Sequence, residues 1–280
     1  MLSPTPQALH PVVSGIPGTE GPCVTKDGRV FVVAPGEGRI VEVWLDGRQR
    51  DFARTRGVPA GLQLDRDGDL LVADMARGIL RVTPDGRVHD LVSAFEGRPI
   101  RGCNDLAFDT RGNLYFTAPA GSSDQNPCGE LFCLLADGEL RRLDAGFAFC
   151  NGLAVSADDR TLVVAETLTK RLFAYDLSAP GVAGPRRLFA TLGGDHQGGG
   201  DGMDFDAEGR LVVAHWGGSR LEIFAPDGRR ERVVPLPFSR PSNVHFLGPG
   251  SHQLLITEHD THGLWLHDYG APGQTQYGWL

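Results

Sequence analysis

Apolar residues along the chain fall into short runs that come in pairs. A first segment recurs as GPCVT from Gly21, GLQLD from Gly61, DLAFD from Asp105, GLAVS from Gly152, GMDFD from Gly202 and NVHFL from Asn243, at intervals of 40, 44, 47, 50 and 41 residues. After a turn each is followed by a second run: RVFVVA, DLLVAD, NLYFTA, TLVVAE, RLVVAH and QLLITE. Runs this short, rich in β-branched and aromatic residues and bounded by turn formers, read as strands. Asp-Gly pairs end at Gly28, Gly47, Gly68, Gly86, Gly138 and Gly228 and supply the positive φ of tight hairpins. In the first, second and fifth repeats the turn glycines stand 19, 18 and 19 residues apart (Gly28 to Gly47, Gly68 to Gly86, Gly209 to Gly228), so each repeat holds two hairpins. The prediction is an all-β, six-bladed β-propeller of four-stranded blades. The sixth repeat has only three strands before LHDYGAPGQTQYGWL, so a strand near Leu9–Ser14 is expected to complete the last blade and close the ring. Residues 1–280 then read as one propeller domain, although length alone would allow about two domains.

Composition narrows this picture. With 38 Gly and 19 Pro among 280 residues, coiled coils and helical bundles are excluded. The 27 Lys and Arg are scattered and outnumbered by 35 Asp and Glu, which argues against a nucleic-acid partner. No apolar run approaches the roughly 20 residues of a membrane helix, so no membrane partner is expected. Five cysteines without a CxxC pair form no disulfide framework, and the expected location is the cytoplasm.

In a propeller blade the first and third turns lie on one face, and the second loop and the crossover to the next blade lie on the other. The Asp-Gly turns claim the first face. The residues just before each inner strand, nearest the axis on the other face, are Glu20, Ala60, Asn104, Asn151, Asp201 and Ser242. Asn and Asp here could simply be turn formers bonding their own backbone, but four oxygen-bearing side chains share one repeat phase, and Glu is a poor turn former. Converging carboxylates and carboxamides suit a hard divalent cation, Ca²⁺, Mg²⁺ or Mn²⁺, with Zn²⁺ less favoured because no histidine sits in the ring.

TEGP at Thr19–Pro22, CND at Cys103–Asp105 followed by GNLYFT, CNGLAVS at Cys150–Ser156 followed by TLVVAET, and GDGMDFDAEGRLVVAHW at Gly200–Trp216 together resemble the senescence marker protein (regucalcin)/gluconolactonase family over about residues 18 to 268. The resemblance implies a six-bladed propeller with one divalent metal in its central channel, held by Glu20, Asn151 and Asp201. It also implies that Asn104 contacts metal-bound water or substrate and that Asp201 acts as general base. Family members often carry Arg two residues before the first Asn, or Pro immediately before it; here Gly102 and Cys103 stand there and Arg101 lies one step further away.

Further candidates lie on the same face. His196 in GGDHQGGG, and His215 and Trp216 opening a loop of the fifth repeat, are expected to contact substrate, as is Arg101. The third repeat carries about seven extra residues in PAGSSDQNPCGE, Pro119–Glu130, expected to shape a pocket wall rather than build the fold. Cys103 and Cys150 read as small buried fillers, and Glu258, His259, Asp260 and His262 as solvated loop charges. With no GxSxG elbow, P-loop or dinucleotide GxGxxG, the expected activity is metal-dependent hydrolysis of a small-molecule lactone, most readily a sugar-acid lactone. The alternatives are another reaction on the same metal, such as organophosphate hydrolysis or a rearrangement, and a non-catalytic binding propeller.

Overall fold

The computed structural model describes residues 9–280. Six antiparallel sheets surround a central axis in chain order. Their inner strands are Glu20–Val24, Pro59–Leu64, Leu106–Phe108, Cys150–Val155, Gly199–Phe205 and Pro241–Phe246, within one to three residues of the expected starts. Leu9–Val13 pairs with Gly263–Asp268, Leu9 opposite His267 and Pro11 opposite Trp265, so the N-terminal strand closes the ring as expected. Two small additions escape the repeat pattern, a hairpin of Ala94–Phe95 with Arg98–Pro99 and an extension, Val182–Ala183, on the fourth blade.

The hairpins show why Asp-Gly is used. In the first, Thr25 N–H bonds Arg29 O and Gly28 N–H bonds Thr25 O, which is a three-residue loop with a single left-handed residue at its end. That residue is the glycine, and in the six Asp-Gly pairs of the hairpin turns its φ lies between 81° and 92°. The fourth blade lacks the glycine and places Asp159 in the same region, at φ 58°.

The core is divided into six apolar clusters, each between two neighbouring blades. Alternation along a strand explains the division. In Val30–Ala34, Phe31 and Val33 pack toward the second blade, while Val30, Val32 and Ala34 pack toward the sixth. The second strand of a blade is therefore apolar on both faces and reads as an unbroken run, whereas outer strands such as Gln49–Arg54 are largely exposed.

The tail that follows the last strand crosses the Asp-Gly face. Trp279 packs on the clusters of three gaps and donates its indole N–H to Val24 O at 3.0 Å. Gln274 donates to Val155 O and Gln276 to Asp204 Oδ2, each at 2.8 Å. The tail thus covers that end of the central channel.

Candidate functional site

The inner strands are not regular. In five of the six blades the inner strand carries one residue more than its partner where it meets the axis. Examples are between Glu20 and Cys23, Cys150 and Leu153, and Gly200 and Met203. Such bulges turn side chains out of the alternating pattern, and here they turn them toward the axis. Glycine follows four of the six ring residues because the next blade's inner strand passes so close. A Cβ on Gly21 would lie 2.8 Å from Ala60 O, one on Gly61 2.9 Å from Asn104 O, and one on Gly152 would overlap Asp201 O. Hydroxyls stitch the blades together at the same level: Thr117 Oγ1 donates to Asn151 O at 2.8 Å, Thr167 Oγ1 to Gly200 O at 2.7 Å and Ser242 Oγ to Thr19 O at 3.1 Å.

The result is a cleft of about 820 Å³ with Glu20, Asn104, Asn151 and Asp201 among its lining residues. The four oxygen-bearing residues expected to converge do so, and Ala60 and Ser242 contribute no ligand; Ser242 is spent on the blade-to-blade bond. Asn151 and Asp201 are buried. Burial, then the charges of Glu20 and Asp105, push the Asp201 carboxyl well above its ordinary range, while Asn151 and the Gly202 N–H, both hydrogen-bonded to it, pull the other way. Acidic groups held together in this way suit a cation among them. Among the described residues no three His, Cys, Asp or Glu side chains form a metal cluster, because half of this ring is carboxamide. That mixed oxygen set fits a hard cation.

Trp216 and His196 also line the cleft, as expected. Two of the expected substrate contacts need correction. His215 is fully buried and stands behind His196, 2.9 Å away between their Nε2 atoms, so it cannot touch a ligand in the cleft. The side chain faces inward because its strand is buried on both faces. Arg101 is exposed in the crossover and does not line the cleft, since the chain turns at Gly102, φ 70°, before reaching the ring.

Several lining residues carry no sequence signal. Phe149 adopts φ 67°, a region costly for an aromatic residue. Its N–H donates to Ser122 Oγ at 3.1 Å and its carbonyl accepts from Thr167 N–H at 3.0 Å. The 119–128 loop thus props up one wall through Ser122 and adds Asp124 to the lining. His259 is also no solvated charge: its Nε2 is 3.0 Å from Glu20 Oε1, and its Nδ1 accepts the Trp216 indole N–H at 3.1 Å. The indole donor leaves the proton on Nε2, facing Glu20. Asn243 Nδ2 donates to Glu20 Oε2. Glu258 is buried and accepts the Asp260 and Thr261 N–H groups, Asp260 pairs with Arg240, and His262 Nδ1 accepts Gly18 N–H. Cys103 and Cys150 are core residues whose thiols burial pushes up to about 12, which disfavours the nucleophilic thiolate and fits their reading as buried fillers.

Beneath the ring the channel narrows to a void of about 40 Å³ lined in part by Asp105, Asp204, His245 and Gln276. Burial, the largest cause in each case, raises Asp105 and Asp204 to about 7 and lowers His245 to about 4. The folded chain therefore holds protons on the two carboxyls that the unfolded chain releases, so their ionisation costs stability as pH rises through 7. Below the ordinary histidine range of about 6.5, His245 opposes this, because it stays neutral only when folded. Asp204 is the more enclosed of the two carboxyls, while Asp105 keeps some surface. We expect chelator-treated protein to be more stable at about pH 6.5 than at about pH 8 by on the order of 1 kcal/mol, measured by denaturant melts. A divalent cation should stabilise more at the higher pH.

A family model for the SMP-30/gluconolactonase/LRE-like region matches residues 18–260. The chain is 39% identical to a diisopropyl-fluorophosphatase of Loligo vulgaris, over 95% of this chain and 93% of that protein. It is 29% identical to a gluconolactonase of Zymomonas mobilis, over 79% and 70%. A structure of regucalcin, a calcium-binding protein from Agrobacterium tumefaciens, superposes with a TM-score of 0.82 over 99% of this chain and 98% of that one, at 22% identity, which speaks for the fold. By the extent of the family match and of the identity, the chain belongs to the SMP-30/gluconolactonase/LRE-like family.

Proposed function

We propose that the protein is a divalent-cation-dependent hydrolase that opens small lactones in the 820 Å³ cleft. Its relatives are named gluconolactonase, lactonase and diisopropyl-fluorophosphatase, and it is a hydrolytic enzyme. The observation that carries the finer reading is the ring of two carboxylates and two carboxamides, three of the four at bulges of the inner strands, with a raised carboxyl among them. Glu20, Asn151 and Asp201 would hold the cation, with Asn104 beside them. When bound, the cation would supply Lewis-acid polarisation of the ester carbonyl and acidify water.

The chain's own groups do the rest. The Asp201 carboxylate takes the proton of the attacking water. Asn104 orients the ester, and His259 with Asn243 fixes the rotamer of Glu20. Phe149, Leu168 and Trp216 give the cleft an apolar wall, and Lys170, Gln197 and Asp124 give it polar positions. A lactone with one apolar face suits this lining better than a fully hydroxylated sugar acid. A second reading, hydrolysis of a compact phosphorus ester, is favoured by the 39% identity to a diisopropyl-fluorophosphatase.

Proton release from a lactone panel and from a phosphofluoridate, before and after chelation, separates the readings. We expect lactone turnover that disappears on chelation and returns with Ca²⁺ or Mn²⁺, together with cation affinity, by calorimetry, that falls at least tenfold in Glu20→Gln. Turnover of the phosphofluoridate alone would select the second reading. Undiminished lactone turnover in chelator, with unchanged cation affinity in the variant, would overturn the cation site.

A further inference from the structure

The crossover Gly193–Gly198 forms part of the cleft wall through His196, Gln197 and Gly198 and runs directly into the strand that carries Asp201. It is rich in glycine, and Gly194 and Gly198 adopt φ 97° and 102°. By composition such a segment should move freely. The structure instead ties it down at three points: Lys170 Nζ donates to Gly194 O at 2.6 Å, Arg220 Nη2 donates to Gly193 O, and His196 Nε2 meets His215 Nε2 at 2.9 Å.

Two of the three ties share one root. Glu222 has a fully buried side chain. Its Oε1 accepts His215 Nδ1–H at 2.7 Å and Arg220 Nε–H at 2.9 Å, and its Oε2 accepts Arg230 Nη1–H at 3.0 Å. Burial disfavours the charge, but His215, Arg230 and Arg220 outweigh it and hold Glu222 well below the usual carboxylate range. An ionised Glu222 keeps the His215 proton on Nδ1, which leaves Nε2 a bare lone pair to accept His196 Nε2–H. The same carboxylate aims Arg220, whose other end holds the Gly193 carbonyl.

We propose that Glu222 is a positioning residue for the cleft: from behind the wall it clamps the 193–198 crossover through two arms, His215 on His196 and Arg220 on Gly193. The clamp makes a glycine-rich segment into a rigid wall without filling the cleft with bulky side chains. It also steadies the backbone leading to Asp201, five residues beyond His196.

The test reads loop order directly and needs no turnover, so it stands apart from the identity of the substrate. Backbone ¹⁵N order parameters for Gly193, Gly194 and Gly198 are expected near 0.85 in the unaltered protein, about the rigid limit, and below about 0.6 in His196→Leu combined with Arg220→Met. Neither altered side chain is fully buried, so both variants should fold; Glu222→Gln should loosen both arms at once. His196→Gln keeps an N–H donor for His215 and should restore order where His196→Leu does not, a difference that a space-filling role would not produce. An ¹⁵N–¹⁵N coupling between the two Nε2 atoms should accompany the ordered state. Equal order parameters in the unaltered protein, His196→Leu and the double variant, or an already mobile loop in the unaltered protein, would overturn the clamp.

Discussion

Asp201→Asn is expected to lose on the order of 10²-fold or more in turnover, the usual scale for removal of a general base, even with cation in excess. The substitution keeps one oxygen that can face a cation and keeps the side chain's volume, so the ring should stay assembled. It removes the basic site. Asp201 is suited to that role by its surroundings: it is buried, it lies at a bulge flanked by Gly200 and Gly202, and Glu20 and Asp105 raise its proton affinity. A cation at the ring would act in the opposite sense and keep the group ionised near neutral pH. Steady-state proton release at saturating cation and substrate checks this. Full turnover in Asp201→Asn would leave it as a ligand only and move the base to Glu20, or to His196 at the wall.

The second large effect is expected at a residue with no functional group. Gly152→Ala should destabilise the protein by about 3 kcal/mol or more, toward the upper end for overpacking, which corresponds to a fall of roughly 6–12 °C in Tm for a chain of this size. A Cβ at Gly152 would overlap the carbonyl of Asp201 and approach the Cα of Gly202 to 2.8 Å. Both are backbone atoms of the next blade, so no side chain can swing aside. The strain falls where Asn151 meets Asp201, so cation affinity should drop with stability. Gly36→Ala is the control: nothing lies within 4 Å of a Cβ there, and its Tm should stay close to that of the unaltered protein. A Gly152→Ala melting point within about 2 °C of the unaltered one would show that neighbouring inner strands can part cheaply.

This second expectation bears on how sites of this kind are encoded. Neither Asn151 nor Asp201 could face the axis if the glycine after each were larger, because each blade's inner strand is the packing surface for the next. The X-Gly pairs in CNGL and GDGM thus join a ligand-type side chain to the residue that lets the adjacent blade approach. Asn104-Asp105 departs from this pattern: Asp105 Oδ1 bonds the Leu106 N–H, and its raised carboxyl borders the channel.

Strand positions, six blades, the closing N-terminal strand and the convergence of Glu20, Asn104, Asn151 and Asp201 are all legible in the sequence. The reason is that each depends on local rules repeated along the chain: apolar runs of strand length, a glycine at most left-handed hairpin residues, and a shared repeat phase that puts equivalent residues at equivalent radii. Tertiary structure alone decides what happens between repeats. His259 belongs to the site because the sixth blade brings it beside Glu20, more than 200 residues away in the chain, where Trp216 of the fifth blade fixes its tautomer. Phe149 lines the cleft because an insertion in the preceding blade supports its strained backbone. His215 is withdrawn from the cleft because Glu222, seven residues on and across a strand pair, offers a buried carboxylate that outweighs solvent as a partner. Arg101 falls outside because a left-handed glycine turns the chain away first. The tail covers the opposite end of the channel through Trp279 and Gln276, and no repeat phase assigns those contacts. Periodicity encodes where a residue sits in its blade; its partner across a gap depends on packing between segments distant in sequence, which one chain's local pattern does not carry.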